Sequence, residues 1–143
     1  MYERLSPALE RVIKHANDYA REYAQDYVGT EHLLLGILRD GGNTAASLLA
    51  ARGVTEAKAR EAVDRLIKQS LEDTWVLGRL PGTPNFRNVI ATAIEEARQW
   101  ESREVEPEHL LLALLQEKGS TAYSALTELG VKAGEIRAAL NKP

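Results

Sequence analysis

Apolar residues recur along this chain at steps of three and four, which is the spacing of one face of an α-helix. The first stripe predicts an amphipathic helix that begins after Ser6, its capping residue, and ends at about Gln25. The next segment, Glu31 to Arg39, is apolar almost throughout, so we expect a short helix that is buried on most sides. Alternation with a period of two, which indicates strands, does not stand out beside these patterns.

Two further helices complete this first unit of four. Gly41 ends the second helix, because glycine adopts the left-handed conformation that a helix terminus often requires. Asn43 or Thr44 caps a third short helix, which Gly53 closes. A fourth helix follows the capping residue Thr55. Its inner face consists of Ala59, Ala62, Val63, Leu66 and Ile67.

The same pattern then occurs a second time. The separation between His32 and its equivalent His109 is 77 residues (109 minus 32), and the same offset aligns most of the chain without a gap. The aligned pairs include Pro7 with Pro84, Val12-Ile13 with Val89-Ile90, Ala20-Arg21 with Ala97-Arg98, Glu31-His32-Leu33-Leu34-Leu35 with Glu108-His109-Leu110-Leu111-Leu112, Thr44-Ala45 with Thr121-Ala122, and Gly53-Val54 with Gly130-Val131. Chance similarity does not keep one register over so many positions, so the sequence contains a tandem duplication.

These observations predict an all-α fold of eight helices in two pseudo-symmetric four-helix repeats. We place repeat one at about residues 1–69, a connector at about 70–82, and repeat two at about 83–143. A four-helix unit of this size buries little apolar surface alone. We therefore expect both repeats to share one core as a single domain of 143 residues.

Apolar residues outside the helix stripes form a second group of interest. Trp75, Leu77 and Leu80 lie in the connector, and Tyr2 and Leu5 lie at the amino terminus. Sizeable apolar patches on a soluble domain usually mark interaction surfaces, so these residues are candidates to accept an unfolded segment or an adaptor protein. The alternative is that they seal the joint between the two repeats, and the sequence leaves both interpretations open.

Composition limits the possible functions. With 44% hydrophobic and 27% charged residues, a net charge of -3 and scattered basic residues, this is ordinary globular composition without a nucleic-acid surface. The absence of cysteine excludes disulfides and thiolate metal sites and fits a reducing compartment, for which we expect the cytoplasm. The longest apolar run, Leu33 to Leu38, is too short to span a bilayer, and the first residues lack a signal-peptide core.

The sequence shows no catalytic or metal-binding motif, so we expect no enzymatic activity, no metal and no cofactor. A phosphate loop (GxxxxGK followed by Ser or Thr), a GxSxG nucleophile elbow and an HExxH zinc motif are all missing. His32 and His109 each stand beside a glutamate, and adjacent residues of a helix do not face a common point. We therefore interpret both histidines as structural groups that satisfy nearby backbone atoms.

Four features carry a resemblance to a known family: the duplication, the Gly-Val helix junctions, the opening Tyr2-Glu3-Arg4-Leu5-Ser6 and the segment Gly29-Thr30-Glu31-His32-Leu33-Leu34-Leu35-Gly36. Together they resemble the N-terminal domain of Clp unfoldases, most of all the ClpC type, over nearly the whole chain. The resemblance implies a double-repeat helical domain that precedes the ATPase rings in ClpA, ClpB and ClpC. It also implies a non-catalytic docking function, in which the domain receives unfolded or marked substrates and adaptor proteins for the ATP-dependent unfoldase and protease.

Two other functions remain compatible with the sequence. A free-standing Clp-N-like accessory protein that regulates the Clp machine would carry the same motifs, and only a native gene that continues past Pro143 separates it from a docking domain. A small-molecule-binding or enzymatic helical protein would require a deep polar pocket that converges on Glu31 or Glu108. The pattern of polar residues does not indicate such a pocket.

Glu31 and Glu108 occupy the first turns of their helices, where a carboxylate can cap free amides and interacts favourably with the helix dipole. That structural role is sufficient by itself. In ClpC-type domains, however, the equivalent glutamates contact the guanidinium group of phosphoarginine, a degradation mark. The resemblance therefore implies that Glu31 and Glu108 bind this guanidinium, while Ser6 and Thr83 assist at the phosphate.

The sequence departs from the family pattern mainly at the second motif. Glu106 and Pro107 replace the usual glycine and threonine, which adds a negative charge and removes a hydroxyl group and an amide donor. Pro7 and Pro84 also remove amide donors from the first and fifth helices. We therefore expect weaker phosphoarginine binding at the second motif than at the first.

Overall fold

The computed structural model describes residues 4–23, 28–74 and 83–141, and describes residues 67–74, 83, 84 and 141 only through their backbone. The described residues form eight helices and two strands of two residues each. The helices are α1 Pro7–Glu22, α2 Thr30–Asp40, α3 Thr44–Ala51, α4 Glu56–Thr74, α5 Thr83–Gln99, α6 Pro107–Leu114, α7 Thr121–Glu128 and α8 Ala133–Asn141. The strands, which pair in parallel, are β1 Arg4–Leu5 and β2 Glu104–Val105. The predicted all-α fold of eight helices is confirmed.

Two helix ends and the strand pair differ from the sequence prediction. α1 ends at Glu22 rather than at about Gln25, while α4 continues to Thr74 and so includes the first residues of the predicted connector. Because α4 contains neither glycine nor proline, nothing in its backbone chemistry ends it earlier. Strands of two residues are too short to show an alternating pattern. The limits of the two repeats and of the connector stay a prediction.

One hydrophobic core runs through both repeats. α2 contacts α6 and α7 of the other repeat, and α3 also contacts α6. The six leucines of the two central motifs are all 0% exposed: Leu33, Leu34, Leu35, Leu110, Leu111 and Leu112. Each central helix therefore lies between its own repeat and the other one, as its near-continuous leucines predicted. None of the described helices is both long enough and apolar enough to cross a membrane.

α1 and α2 cross with their backbones in close contact. A Cβ atom added to Gly36 would lie 2.5 Å from the carbonyl oxygen of Val12, which is far inside van der Waals contact. In repeat two the equivalent residue is Ala113, which is fully buried. Glycine therefore allows a closer helix crossing in repeat one than alanine allows in repeat two.

Each central helix has a histidine that caps its own first turn. His32 Nδ1 accepts a hydrogen bond from the Gly29 amide at 2.8 Å, and His109 Nδ1 accepts one from the Glu106 amide at 2.9 Å. An imidazole that accepts at Nδ1 is neutral and carries its proton on Nε2. Burial lowers the pKa of His32 to about 4 and also lowers the pKa of His109. The expectation that both histidines satisfy backbone groups is confirmed.

We expect Gly36→Ala to destabilise the domain, because the added methyl group meets backbone atoms that cannot move without separating α1 from α2. The expected loss in the free energy of unfolding is about 1–3 kcal/mol, measured by urea denaturation. Gly134→Ala is the matched control, since nothing lies within 4 Å of a Cβ added there and alanine favours the helix. If Gly36→Ala proved as stable as this control, the close crossing would be wrong.

Acid is expected to destabilise the fold partly through His32, whose pKa of about 4 in the folded chain lies below the ordinary value of 6.5. Because the unfolded chain binds the proton more tightly, this contribution to stability is complete above pH 6.5 and is lost as the pH falls towards 4. It amounts to about 3 kcal/mol at most. We expect His32→Gln to lose less stability than the wild type between about pH 7 and about pH 4.5 in urea unfolding curves.

The control for this experiment is Ser47→Gln, which changes an exposed and uncharged residue of α3. Its stability should depend on pH in the same way as that of the wild type. Equal losses of stability on acidification in the wild type and in His32→Gln would show that the buried imidazole does not contribute.

Candidate functional site

A pocket of about 250 Å³ lies where the amino-terminal ends of three helices, α1, α3 and α6, meet. We call it the α6 pocket. Its lining consists of Ala8, Gly42, Asn43, Thr44, Glu106, Pro107 and Glu108. It therefore contains one of the two glutamates that the sequence analysis selected, together with the two residues at which the second motif departs from the family pattern.

The parallel strand pair brings α1 beside α6. Leu5 of β1 pairs with Val105 of β2, and the Ser6 amide donates to the Val105 carbonyl oxygen at 3.0 Å. Each strand runs almost directly into a helix, so the pairing holds the start of α1 next to the start of α6. The structure thus places Ser6 near the helix start that carries Glu108, an association that the sequence pattern does not indicate.

Asn43 fixes the α3 side of the pocket. Its side-chain oxygen accepts from the Ala46 amide at 2.8 Å, while its side-chain nitrogen donates to the Ile37 carbonyl at 3.1 Å and to the Asp40 carboxylate at 2.8 Å. Gly41 makes the turn between α2 and α3 with a positive φ of 71°. These bonds tie the start of α3 to the end of α2, so this wall of the pocket is held in place.

Two residues that line the pocket, Ala8 and Thr44, have backbone amides without an acceptor among the described residues. The Leu9 amide, in contrast, is already capped by Ser6 Oγ at 3.0 Å. Free amides at a helix start carry partial positive charge, which the helix dipole reinforces. Pro107 adds no donor because proline has no N–H group. The pocket therefore has a wall that favours negative charge.

Glu106 and Glu108 give the pocket an acidic wall as well, and both residues are half-buried. Burial raises the pKa of Glu108, a hydrogen bond from its own backbone amide opposes this shift, and the charge of Glu106 raises the pKa further. Among the described residues, neither glutamate takes part in an ion pair. Two half-buried carboxylates without a cation are stabilised by a positively charged ligand.

The equivalent helix starts in repeat one, those of α2 and α7, contact each other directly. Thr30 Oγ1 accepts a hydrogen bond from the Ala122 amide at 3.3 Å, which joins the two helix starts. Thr30 is 1% exposed and Glu31 is 3% exposed. The sequence analysis favoured binding at the first motif, whereas the structure leaves Glu108 the more accessible of the two glutamates.

The structure describes only some of the other predicted site residues. Ser6 is 2% exposed, and its hydroxyl oxygen is used to cap α1. Leu5 is half-buried and packs against the core, as a residue that seals the joint between repeats would do. Thr83 begins α5, but its side chain lies outside the described residues. Four more predicted residues lie outside them entirely: Tyr2, Trp75, Leu77 and Leu80.

Ala8 and Thr44 were not predicted from the sequence to line this pocket. Their helix starts were predicted, but helical periodicity does not indicate which helix ends meet in space. Only the three-dimensional arrangement makes their backbone amides part of a site. In the described part of the chain, no three histidine or acidic residues come together in a way that could hold a metal ion.

Known proteins resemble this chain over nearly its full length. The Clp repeat (R) N-terminal domain family matches residues 4–102 and 81–143. The chloroplastic chaperone protein ClpC2 of rice (Oryza sativa subsp. japonica) is 35% identical over 137 residues, which cover 96% of this chain and 15% of the relative. The ATP-binding subunit ClpA homolog of an ATP-dependent Clp protease from Cyanidium caldarium is 36% identical over 137 residues. These residues cover 96% of this chain and 16% of the relative. The chain thus spans only 15–16% of the length of these relatives.

Solved structures share the architecture. The N-terminal domain of the chaperone ClpD from Arabidopsis thaliana matches with a TM-score of 0.73 and 26% identity, over 97% of this chain and 96% of that one. The Hsp104 N-terminal domain from Candida albicans has the same fold, with a TM-score of 0.67 and 17% identity over 95% and 88% of the two chains. Since the family match, the relatives and the fold agree, the chain belongs to the Clp repeat (R) N-terminal domain family.

Proposed function

We propose that this domain docks substrates and adaptor proteins for an ATP-dependent Clp unfoldase, and that the α6 pocket binds phosphoarginine on marked substrates. Membership of the Clp repeat family supports the docking function. The names of the relatives, a chaperone and an ATP-binding subunit of the Clp protease, indicate the machine that the domain would serve. In this proposal the domain binds its ligand without converting it, and the ATPase rings act in cis or in trans.

One observation carries the phosphoarginine proposal: the same pocket is lined by two glutamates and by two residues whose backbone amides have no acceptor in the described part of the chain. Phosphoarginine joins a delocalised cation to a phosphoryl group, so a protein that recognises it must supply carboxylates and anion donors close together. Carboxylates pair well with the planar guanidinium fork, and amides at helix starts bind phosphoryl oxygens. The α6 pocket supplies both groups from residues that the fold already holds in place.

The residues divide between the two halves of the ligand. Glu108, with Glu106 beside it, binds the guanidinium, and the amides of Ala8 and Thr44 bind the phosphoryl oxygens. Inorganic phosphate alone would meet repulsion from Glu106, and unmodified arginine would leave both amides without an acceptor. The pocket should therefore prefer phosphoarginine to either half alone.

Two parts of the proposal remain open: the location of the protein in the cell, and whether the domain acts in cis or in trans. The cytoplasmic location expected from the sequence stays a prediction, and the rice relative is a chloroplast protein by its name. An accessory protein that regulates the Clp machine in trans would use the same pocket. Neither alternative changes the residues that bind the ligand.

Calorimetric titration with free phosphoarginine tests this proposal. We expect saturable binding that is weakened about 10- to 100-fold in Glu108→Gln, because the variant loses charge-assisted hydrogen bonds worth about 1.5–3 kcal/mol. Arginine and inorganic phosphate should each bind more weakly than phosphoarginine. Glu61→Gln is the control, since this α4 glutamate has a side chain that is 80% exposed and lies on none of the three helices around the pocket.

Two results would contradict phosphoarginine binding at this pocket. The first is the absence of saturable heat with phosphoarginine under conditions in which the wild-type domain is folded. The second is equal weakening by Glu108→Gln and Glu61→Gln, which would indicate a general effect of surface charge. Docking would then depend on protein–protein contacts elsewhere on the domain.

A further inference from the structure

The last helix of each repeat packs against the first helix of that repeat, and these two last helices, α4 and α8, are attached by different interactions. We infer that α8 is a strap that opens while the other described helices stay folded, and that the ion pair of Glu96 and Arg137 is its latch. Opening of α8 is a property of the fold itself, so it needs no ligand at the α6 pocket.

Apolar burial anchors α8 less than it anchors α4. Helix α4 has 19 residues and buries three side chains almost completely: Ala59, Ala62 and Val63. At the equivalent positions of α8, which has nine residues, only Ile136 is fully buried, while Ala139 and Leu140 are half-buried. A hydrogen bond from Arg52 of α3 to the Glu135 carbonyl oxygen adds to this, but at 3.4 Å it is long. The hydrophobic effect therefore stabilises the docked state of α8 less than that of α4.

A buried carboxylate provides the other main attachment of α8. Glu96 of α5 is 4% exposed, and its two carboxylate oxygens accept from the Arg137 guanidinium of α8 at 3.1 and 2.7 Å. Gln116 and Trp100 also donate to this carboxylate, at 2.6 and 3.2 Å. A buried carboxylate that loses its cation is strongly destabilised until water reaches it. The ion pair and the docking of α8 therefore break together.

The same two positions of repeat one hold no ion pair. Tyr19 corresponds to Glu96 and Arg60 to Arg137, 77 positions away in each case. The Arg60 guanidinium lies 5.5 Å from the centre of the Tyr19 ring and takes part in no ion pair within the described part of the chain. Because Tyr19 is uncharged, loss of Arg60 leaves no buried charge at this position. A latch is thus present in repeat two alone.

An open α8 exposes groups that the closed domain buries. Ile136 and the Glu96 carboxylate both become accessible, and since α8 contacts α6, part of the central helix of repeat two is uncovered as well. Local opening of one element exposes apolar surface without unfolding of the whole domain. The strap therefore gives this domain an apolar surface that exists only in its open state.

Hydrogen exchange of backbone amides, followed by NMR as protection factors, tests this inference. In the wild type we expect the amides of residues 137–140 in α8 to be at least about 10-fold less protected than those of residues 60–63 in α4. Arg137→Met removes the charge but keeps an unbranched side chain, and it should lower the protection of α8 by a further 10-fold or so while α1 and α2 change less than about 2-fold. Arg60→Met is the matched control, and it should change the protection of α4 less than about 2-fold.

The wild-type measurement alone can overturn the inference, because α8 amides as protected as those of α2 would mean that α8 opens only when the whole domain unfolds. Unchanged protection of α8 in Arg137→Met would show that the ion pair is not a latch. An equal loss of protection in all helices of that variant, or its failure to fold, would show that the pair stabilises the whole domain instead. An equal effect of Arg60→Met on α4 would remove the difference between the repeats. A loss of protection confined to α8 in Arg137→Met would support the inference.

Discussion

Two helices made almost entirely of apolar residues must be covered from both sides, and the rest of the structure depends on this constraint. The leucines of α2 and α6 are fully buried in one core that both repeats supply. Burying the helices also buries their first turns, where backbone amides have no partner within the helix. His32 and His109 meet this need, because each accepts a hydrogen bond from the amide of its own capping residue. The histidines are thus a consequence of placing helix starts inside the domain.

The duplication preserved the geometry of the repeats while the chemistry at equivalent positions changed. Tyr19 in repeat one corresponds to Glu96 in repeat two, and both are buried. The Arg39 guanidinium lies 3.8 Å from the centre of the Tyr19 ring, whereas Glu96 accepts hydrogen bonds from Gln116 at 2.6 Å and Arg137 at 2.7 Å. In each repeat, side chains from later segments of that repeat pack against a residue of its first helix. Thr30 and Pro107 are a second case of the same divergence, because the Thr30 hydroxyl accepts from the Ala122 amide and the equivalent proline has no such acceptor.

Much of the fold could be predicted from the sequence, because helical periodicity and capping are local properties. Ser6 and Asn43 were recognisable as caps, and the offset between the two motifs revealed the repeats. The strand pair could not be predicted, since two residues show no pattern, yet it places Ser6 beside the start of α6. The burial of Glu31 could not be predicted either, because it depends on the three-dimensional arrangement of the helices. The family resemblance therefore identified Glu108 as a candidate, whereas no local signal identified the amides near it.

We propose that the α6 pocket is the ligand-binding site of this domain. Proton–nitrogen correlation NMR spectra recorded during a titration with phosphoarginine test it most directly, because they report on individual backbone amides. If phosphoarginine binds in the α6 pocket, the largest and saturable shifts occur at the amides of Ala8, Thr44 and Glu108. Largest shifts at Thr30, Glu31 and Ala122 instead, or no shifts at all, would contradict it.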